Sequence, residues 1–273
     1  MGGVYALIAA GLSLIWGVME VINFAHGEFL MISMFMTFFF VMSSKLDPLI
    51  FIPLCAVILF LLGIVVFQLV VKHVLKGPMV SQIFSTYGVS LFLASLALFL
   101  WGHDYKSILP EYVHLKGTLE MFGIVFNVPR LVATLGCMIT YGILFLFLAY
   151  TKTGKALRAV SQDKEAASLL GVNANLIYAL SWGIAAACVG IAGTFLSTFF
   201  YIFPFIGAPF VTLTFVIVVL GGFGSLMGSL VGGFFVGAIH GVTGVMFPGY
   251  GLVFIYLIFF LILLFRPKGL FGY

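Results

Sequence analysis

Residues 49–71 read LIFIPLCAVILFLLGIVVFQLVV, a run of 23 residues without a charged side chain. Crossing the hydrocarbon core of a bilayer takes about 20 mostly apolar helical residues, so this run is read as a membrane-spanning helix. Similar runs recur at about 4–19, 29–44, 83–101, 131–151, 175–200, 211–222, 228–246 and 251–266. The chain has 273 residues, 63% of them apolar and 7% charged, with 12 Lys/Arg against 8 Asp/Glu. A soluble domain carries about 25% charged residues, and this chain has too few to cover a globule of its size. Soluble, disordered, collagen-like and nucleic-acid-binding classes are excluded. The fold class expected is an all-α polytopic membrane protein of eight to nine transmembrane or half-membrane helices. The first run and 211–222 are short enough to stop part-way, and residues 1–273 are expected to form a single transmembrane domain.

No basic residue precedes the first run, so 4–19 is read as a helix that stays rather than a cleaved leader. The longest loop, 102–129, holds a strand-like stretch, Leu119–Val128, around Gly123, and is expected to form a small flap. Basic residues set the orientation. Lys72 and Lys76 lie in 72–82, Lys152, Lys155, Arg158 and Lys164 in 152–174, and Arg266 and Lys268 in 266–273. These are eight of the twelve. Basic loops stay inside, so these three segments are assigned to the cytoplasm and the 102–129 flap to the other side.

Several chemistries are absent from the sequence. Gly154-Lys155 lacks the upstream glycine and following Ser/Thr of a nucleotide-binding loop, and neither HExxH nor Gly-x-Ser-x-Gly occurs. Cys55, Cys137 and Cys188 stand singly in apolar runs, so no disulfide or zinc framework is expected. No catalytic residue, metal or cofactor is therefore assigned to this chain, and an enzyme is not expected. Pumps and ion-coupled carriers need intramembrane acids and bases, and the helices beyond residue 28 are almost uncharged. His240 is read as a packing or hydrogen-bonding residue, with an ion-coupled carrier or channel left as a second class. Gly224, Gly228 and Gly232, and likewise Gly233, Gly237 and Gly241, recur at four-residue spacing, a smooth stripe suited to close helix packing in lipid.

Two polar segments stand out. In Glu20-Val-Ile-Asn-Phe-Ala-His-Gly-Glu28, ionisable and amide side chains interleave with Ile22, Phe24 and Ala25. One reading is a solvated turn in which Asn23 or His26 caps the next helix. The other is a broken backbone folded against protein or a water-filled cavity, with Asn23, His26 and Glu28 at the inner end of a translocation path. The second segment, GKALRAVSQDKEAASLLGVN at 154–173, is the most polar of the chain. Asp163 is a good N-cap, Lys164 to Leu170 are helix formers, and Gly171 suits a left-handed C-terminal residue. A short capped helix is expected there. An apolar side built from Ala156, Val160, Ala167 and Leu170 would suit docking to a soluble partner.

These residues also carry a family resemblance. YALIA at 5–9, INFAHGE at 22–28, the 154–173 loop and VLGGFGSLMGSLVGG at 219–233 resemble the permease subunits of branched-chain amino-acid ABC importers, the LivH/LivM type and LivH in particular. The likeness runs collinearly over nearly the whole chain, although Asp163-Lys164 stands where many relatives have Asn-Pro. It implies a multi-pass protein of a bacterial-type inner (plasma) membrane. It also implies a second related permease, two cytoplasmic ATPase subunits that bind ATP and Mg, and an extracytoplasmic substrate-binding protein. The 152–174 loop then corresponds to the coupling loop that seats in the ATPase. The coupling residues it implies are Arg158, Asp163, Lys164, Glu165, Ala166, Ala167, Leu169, Leu170 and Gly171. The cargo implied is a branched-chain or other hydrophobic amino acid, with urea or short amides as the runner-up.

Overall fold

A computed structural model describes residues 1–121, 124–266 and 269. Gly123 of the expected flap and Lys268 of the expected basic tail lie outside the described residues. Among the described residues the regular structure is helical apart from one hairpin. Its helices are α1 (Gly2–Met19), α2 (His26–Ser44), α3 (Ile52–Val66), α4 (Met79–Trp101), α5 (Val128–Tyr150), α6 (Lys152–Gln162), α7 (Lys164–Leu169), α8 (Ala174–Leu196), α9 (Gly207–Gly221), α10 (Leu226–Met246) and α11 (Gly251–Phe265). A π-helical stretch at Phe67–Val71 and a helical turn at Lys72–Val74 extend α3. Among the described residues, seven helical segments are long and apolar enough to cross a membrane, and α9 and α11 are shorter apolar helices. At 1.5 Å per residue α9 is about 22 Å long, which brings it close to a full crossing.

Several boundaries differ from the sequence reading. The second helix begins at His26 rather than residue 29, and α8 ends at Leu196 in a series of turns. The basic segment also contains a helix that the sequence reading did not single out, α6, whose N-cap Thr151 accepts from the Gly154 N–H at 3.0 Å.

The two most buried helices are α1 and α8. Neither has a polar face, as expected for a helix surrounded by other helices. α8 packs along α3, where Gly63 meets the Trp182 backbone and Gly183 meets the Phe60 ring. Between α2 and α8 lies a chain of hydroxyls. Ser33 Oγ donates to the Gly190 carbonyl at 2.5 Å, Thr194 Oγ1 to the same carbonyl at 3.1 Å, and Thr37 Oγ1 lies 3.1 Å from Thr194 Oγ1. Hydroxyls on apolar helices find partners across or along the helix, because lipid offers none.

The loops sort to two ends. At one, strands β1 (Thr118–Met121) and β2 (Ile124–Asn127) pair antiparallel, Thr118 opposite Asn127. Asp47 of the α2–α3 loop holds this flap by accepting from the His114 backbone N–H at 2.8 Å, and its carboxylate lies 2.9 Å from His114 Nδ1. Lys106 and Ile202 bridge the flap to the segment after α8. At the other end, α6 and the turn between α9 and α10 meet around a small cleft lined by Arg158, Ser161 and Gly224.

Candidate functional site

α1 ends at Glu20, which adopts a left-handed conformation (φ 56°) while its N–H bonds the Trp16 carbonyl at 2.8 Å. The backbone then leaves the helix and climbs back along it. Six residues later, His26 Nε2 donates to the Ile8 carbonyl at 2.9 Å. Twelve residues of α1, about 18 Å of rise, lie between the level of Ile8 and that of Glu20. The segment Val21–Ala25 is therefore irregular re-entrant backbone inside the helical bundle, ending in a turn at Phe24–Ala25. Irregular backbone at membrane depth needs protein partners, and α4 supplies one. Thr86 Oγ1 donates to the Ile22 carbonyl at 2.9 Å and lies 3.4 Å from the Phe24 N–H. Asn23 Oδ1 accepts from the Ala25 N–H at 3.0 Å and closes the turn into α2.

Asn23 and His26 are wholly enclosed, and Glu28 is 6% exposed. The solvated-turn reading of the sequence therefore does not describe this segment. His26 and Glu28 themselves belong to the first turn of α2. The segment turns where α2 crosses the start of α9. Gly27 and Gly207 touch backbone to backbone there, with no room for a Cβ on either. Asn23 Nδ2, His26 Nδ1 and Glu28 Oε2 have no hydrogen-bond partner among the described residues. Thr86 and Ser90 on α4 complete this polar neighbourhood. The sequence reading missed both, and their only signal was the four-residue spacing of two hydroxyls on an apolar helix.

The second group of residues forms the face around α6 and α7. Asp163 Oδ1 accepts from the Glu165 and Ala166 N–H groups, both at 2.9 Å. At the other end, Gly171 adopts φ 84°, its N–H bonds the Ser168 carbonyl, and the Val172 N–H bonds the Ala167 carbonyl, both at 3.0 Å. That pair of bonds is a Schellman ending. Arg158 Nη2 donates to the Ala149 carbonyl at 2.9 Å and ties α6 to the end of α5. Lys164 lies over the Tyr178 ring at 5.5 Å. Glu165 and Ala166 are exposed. The single apolar side expected from Ala156, Val160, Ala167 and Leu170 does not exist. Val160 and Ala167 pack inward, whereas Leu169 and Leu170 are 90% and 85% exposed. A six-residue helix has one inner row, and Ala167 occupies it.

The glycines divide by neighbour. Gly228 and Gly232 approach α9 at Gly221 and Ile217, while Gly233 and Gly237 approach α1 at Ala6 and Gly2. Gly224 is not on the helical stripe. It lies in the α9–α10 turn at φ 75°, against Gly17, and Gly241 has no neighbour within 4 Å of a built Cβ. His240 Nδ1 pairs with the Tyr5 hydroxyl at 2.6 Å and joins α10 to α1. Among the described residues no cluster of His, Cys, Asp and Glu could hold a metal.

A bundle of apolar helices around a re-entrant segment that ends beside buried Asn23, His26 and Glu28, with a capped helix presenting two leucines at one end, defines a multi-pass membrane transport subunit. The chain belongs to the family described as branched-chain amino acid transport system / permease component, whose model matches residues 1–263. It is 31% identical over 287 residues to the high-affinity branched-chain amino acid transport system permease protein BraD of Pseudomonas aeruginosa, covering all of this chain and 92% of that protein. It is 28% identical over 285 residues to the permease LivH of Escherichia coli K12, again over all of this chain and 92% of the relative. A probable LivH from Methanocaldococcus jannaschii is 26% identical over 97% of this chain and 88% of that protein. No solved structure matches.

Proposed function

We propose that this chain is the permease subunit of an ATP-driven ABC importer that carries branched-chain or other hydrophobic amino acids across the inner membrane. The observation that carries the reading is the family match across residues 1–263, together with full-length relatives named for branched-chain amino acid transport. Free energy comes from ATP hydrolysed on partner ATPase subunits, and a second related permease and an extracytoplasmic binding protein complete the assembly. Residues 1–273 act as one transmembrane domain, with 152–174 as its coupling loop and 102–129 as its extracytoplasmic flap. The re-entrant segment and Asn23, His26 and Glu28 lie along the translocation path.

Coupling requires a rigid contact. α7 is capped at both ends, and the only large apolar side chains that it and its cap present to solvent are Leu169 and Leu170. Buried in a partner groove, each leucine would contribute roughly 1.5–3 kcal/mol. The test is ATP hydrolysis by the reconstituted assembly, with and without loaded binding protein. Leu169→Arg/Leu170→Arg should abolish the stimulation while the chain still inserts. Full stimulation in that variant would place the ATPase elsewhere.

A further inference from the structure

An acid at membrane depth is costly and is retained where it has work to do. Glu28 has no salt-bridge partner among the described residues. Nor is it needed to cap α2. A glutamate at this position of a helix can reach back to the N-cap N–H, but Asn23 Oδ1 already holds the Ala25 N–H. Ser90 and the residue's own backbone N–H lie near the carboxyl group, and Oε2 has no partner among the described residues.

The surroundings of Glu28 have a definite chemistry. Phe24, half-buried, lies with its ring tilted 5.0 Å from that of Phe215 of α9 and meets Tyr87 of α4 edge-on at 6.2 Å. Along α9, Ala208, Thr212, Phe215 and Val219 are exposed or half-exposed at helical spacing, one stripe starting beside the Gly27–Gly207 crossing. Thr86 bonds the backbone beside Phe24, Ser90 lies near Glu28, and Phe24 contacts Tyr87 and Phe215, so one carboxyl group, two hydroxyls and three aromatic rings are gathered where α2, α4 and α9 come together. Positively charged ammonium groups pair with carboxylates and are attracted to aromatic faces. Aliphatic side chains bury against the same rings.

We propose that the Glu28 carboxylate receives the α-ammonium group of the amino acid in transit, while Phe24, Tyr87 and Phe215 hold its apolar side chain. The assignment rests on the permease reading above. It makes Glu28 a substrate contact rather than a structural acid, and it makes the stripe of α9 a wet surface rather than a lipid-facing one.

The test uses the reconstituted assembly with Thr212→Cys, since the native cysteines are buried. A cationic methanethiosulfonate should modify position 212 roughly ten-fold faster than an anionic one of similar size, because a cleft of one sign concentrates its counter-ions. Adding Glu28→Gln should erase that ratio. In uptake assays Glu28→Gln should lose roughly ten-fold or more of leucine transport, the scale of losing a charged hydrogen bond, with binding-protein-stimulated ATP hydrolysis retained. Glu28→Asp should recover part of the transport. Equal reaction with both reagents in the Thr212→Cys protein, or wild-type uptake by Glu28→Gln, would overturn the proposal and leave the permease reading standing. Parallel loss of uptake and stimulated hydrolysis in both Glu28 variants would also overturn it, by making Glu28 structural. Failure of the unsubstituted assembly to take up leucine would overturn the permease reading itself.

Discussion

Gly27 and Gly207 meet so closely that a methyl group on either would overlap the other's carbonyl, whereas a Cβ built on Gly88 meets nothing within 4 Å. The contrast gives an internal control. Forcing one methyl into a packed contact costs about 1–3 kcal/mol, and here the obstacle is backbone, which cannot rotate away. Gly27→Ala should lower the thermal midpoint of the purified protein in detergent by several degrees, and Gly88→Ala should leave it within error. Equal midpoints would mean that the α2–α9 crossing is looser than described. Asn23 shows how a residue's role escapes its type. Its amide oxygen replaces a helix cap two residues away while its nitrogen has no partner among the described residues. No property of an isolated asparagine distinguishes that position from a solvated turn.

α7 has six residues, too few to be stable alone, because a helix nucleus is unfavourable and short helices are marginal in water. Its persistence depends on Asp163 and Gly171. Losing an N-cap costs roughly 0.5–2 kcal/mol, and asparagine caps about as well as aspartate. Asp163→Ala should therefore reduce binding-protein-stimulated ATP hydrolysis, and Asp163→Asn should preserve it. Loss in both variants would show that the charge of Asp163, rather than its cap, matters. Gly171→Val forces a β-branched residue into φ 84°, a conformation reserved largely for glycine, and should abolish the stimulation without preventing insertion. α6, which precedes α7, was less legible. Lys, Arg, Gln and Gly dilute its apolar residues, and its inward row of Gly154, Leu157 and Val160 has meaning only once α5 and α8 supply a surface to cover.

For the whole molecule, the loops carrying Lys72 and Lys76 and those of the 152–174 segment gather at one end, and the Asp47–His114 and Lys106–Ile202 links hold the flap at the other. From the excess of Lys and Arg we propose that the first end faces the cytoplasm. An impermeant thiol reagent applied to intact cells should therefore label Lys116→Cys and spare Lys164→Cys, with labelling of both after permeabilisation. The reverse pattern would invert the orientation. α7 lies at the basic end with its leucines exposed, while Glu28 lies inside, joined to that end by the re-entrant segment and α1.

Hydropathy and length alone determined that the chain is a bundle of membrane helices, because lipid leaves an apolar segment of some 20 residues little choice but to satisfy its own backbone as a helix. They also marked both ends of α7, since capping is local chemistry within a few residues. Only the tertiary structure decided that Val21–Ala25 runs back up the bundle, that Ala167 turns inward while Leu169 and Leu170 turn outward, and that Gly228 and Gly233 serve different neighbours. Those outcomes depend on which surfaces meet. The partners are far away in the chain: His26 with Ile8, Ile22 with Thr86, Gly27 with Gly207. In lipid the apolar faces of helices are nearly equivalent, so close packing and scarce hydrogen bonds choose among them, and those exist only once the bundle has formed.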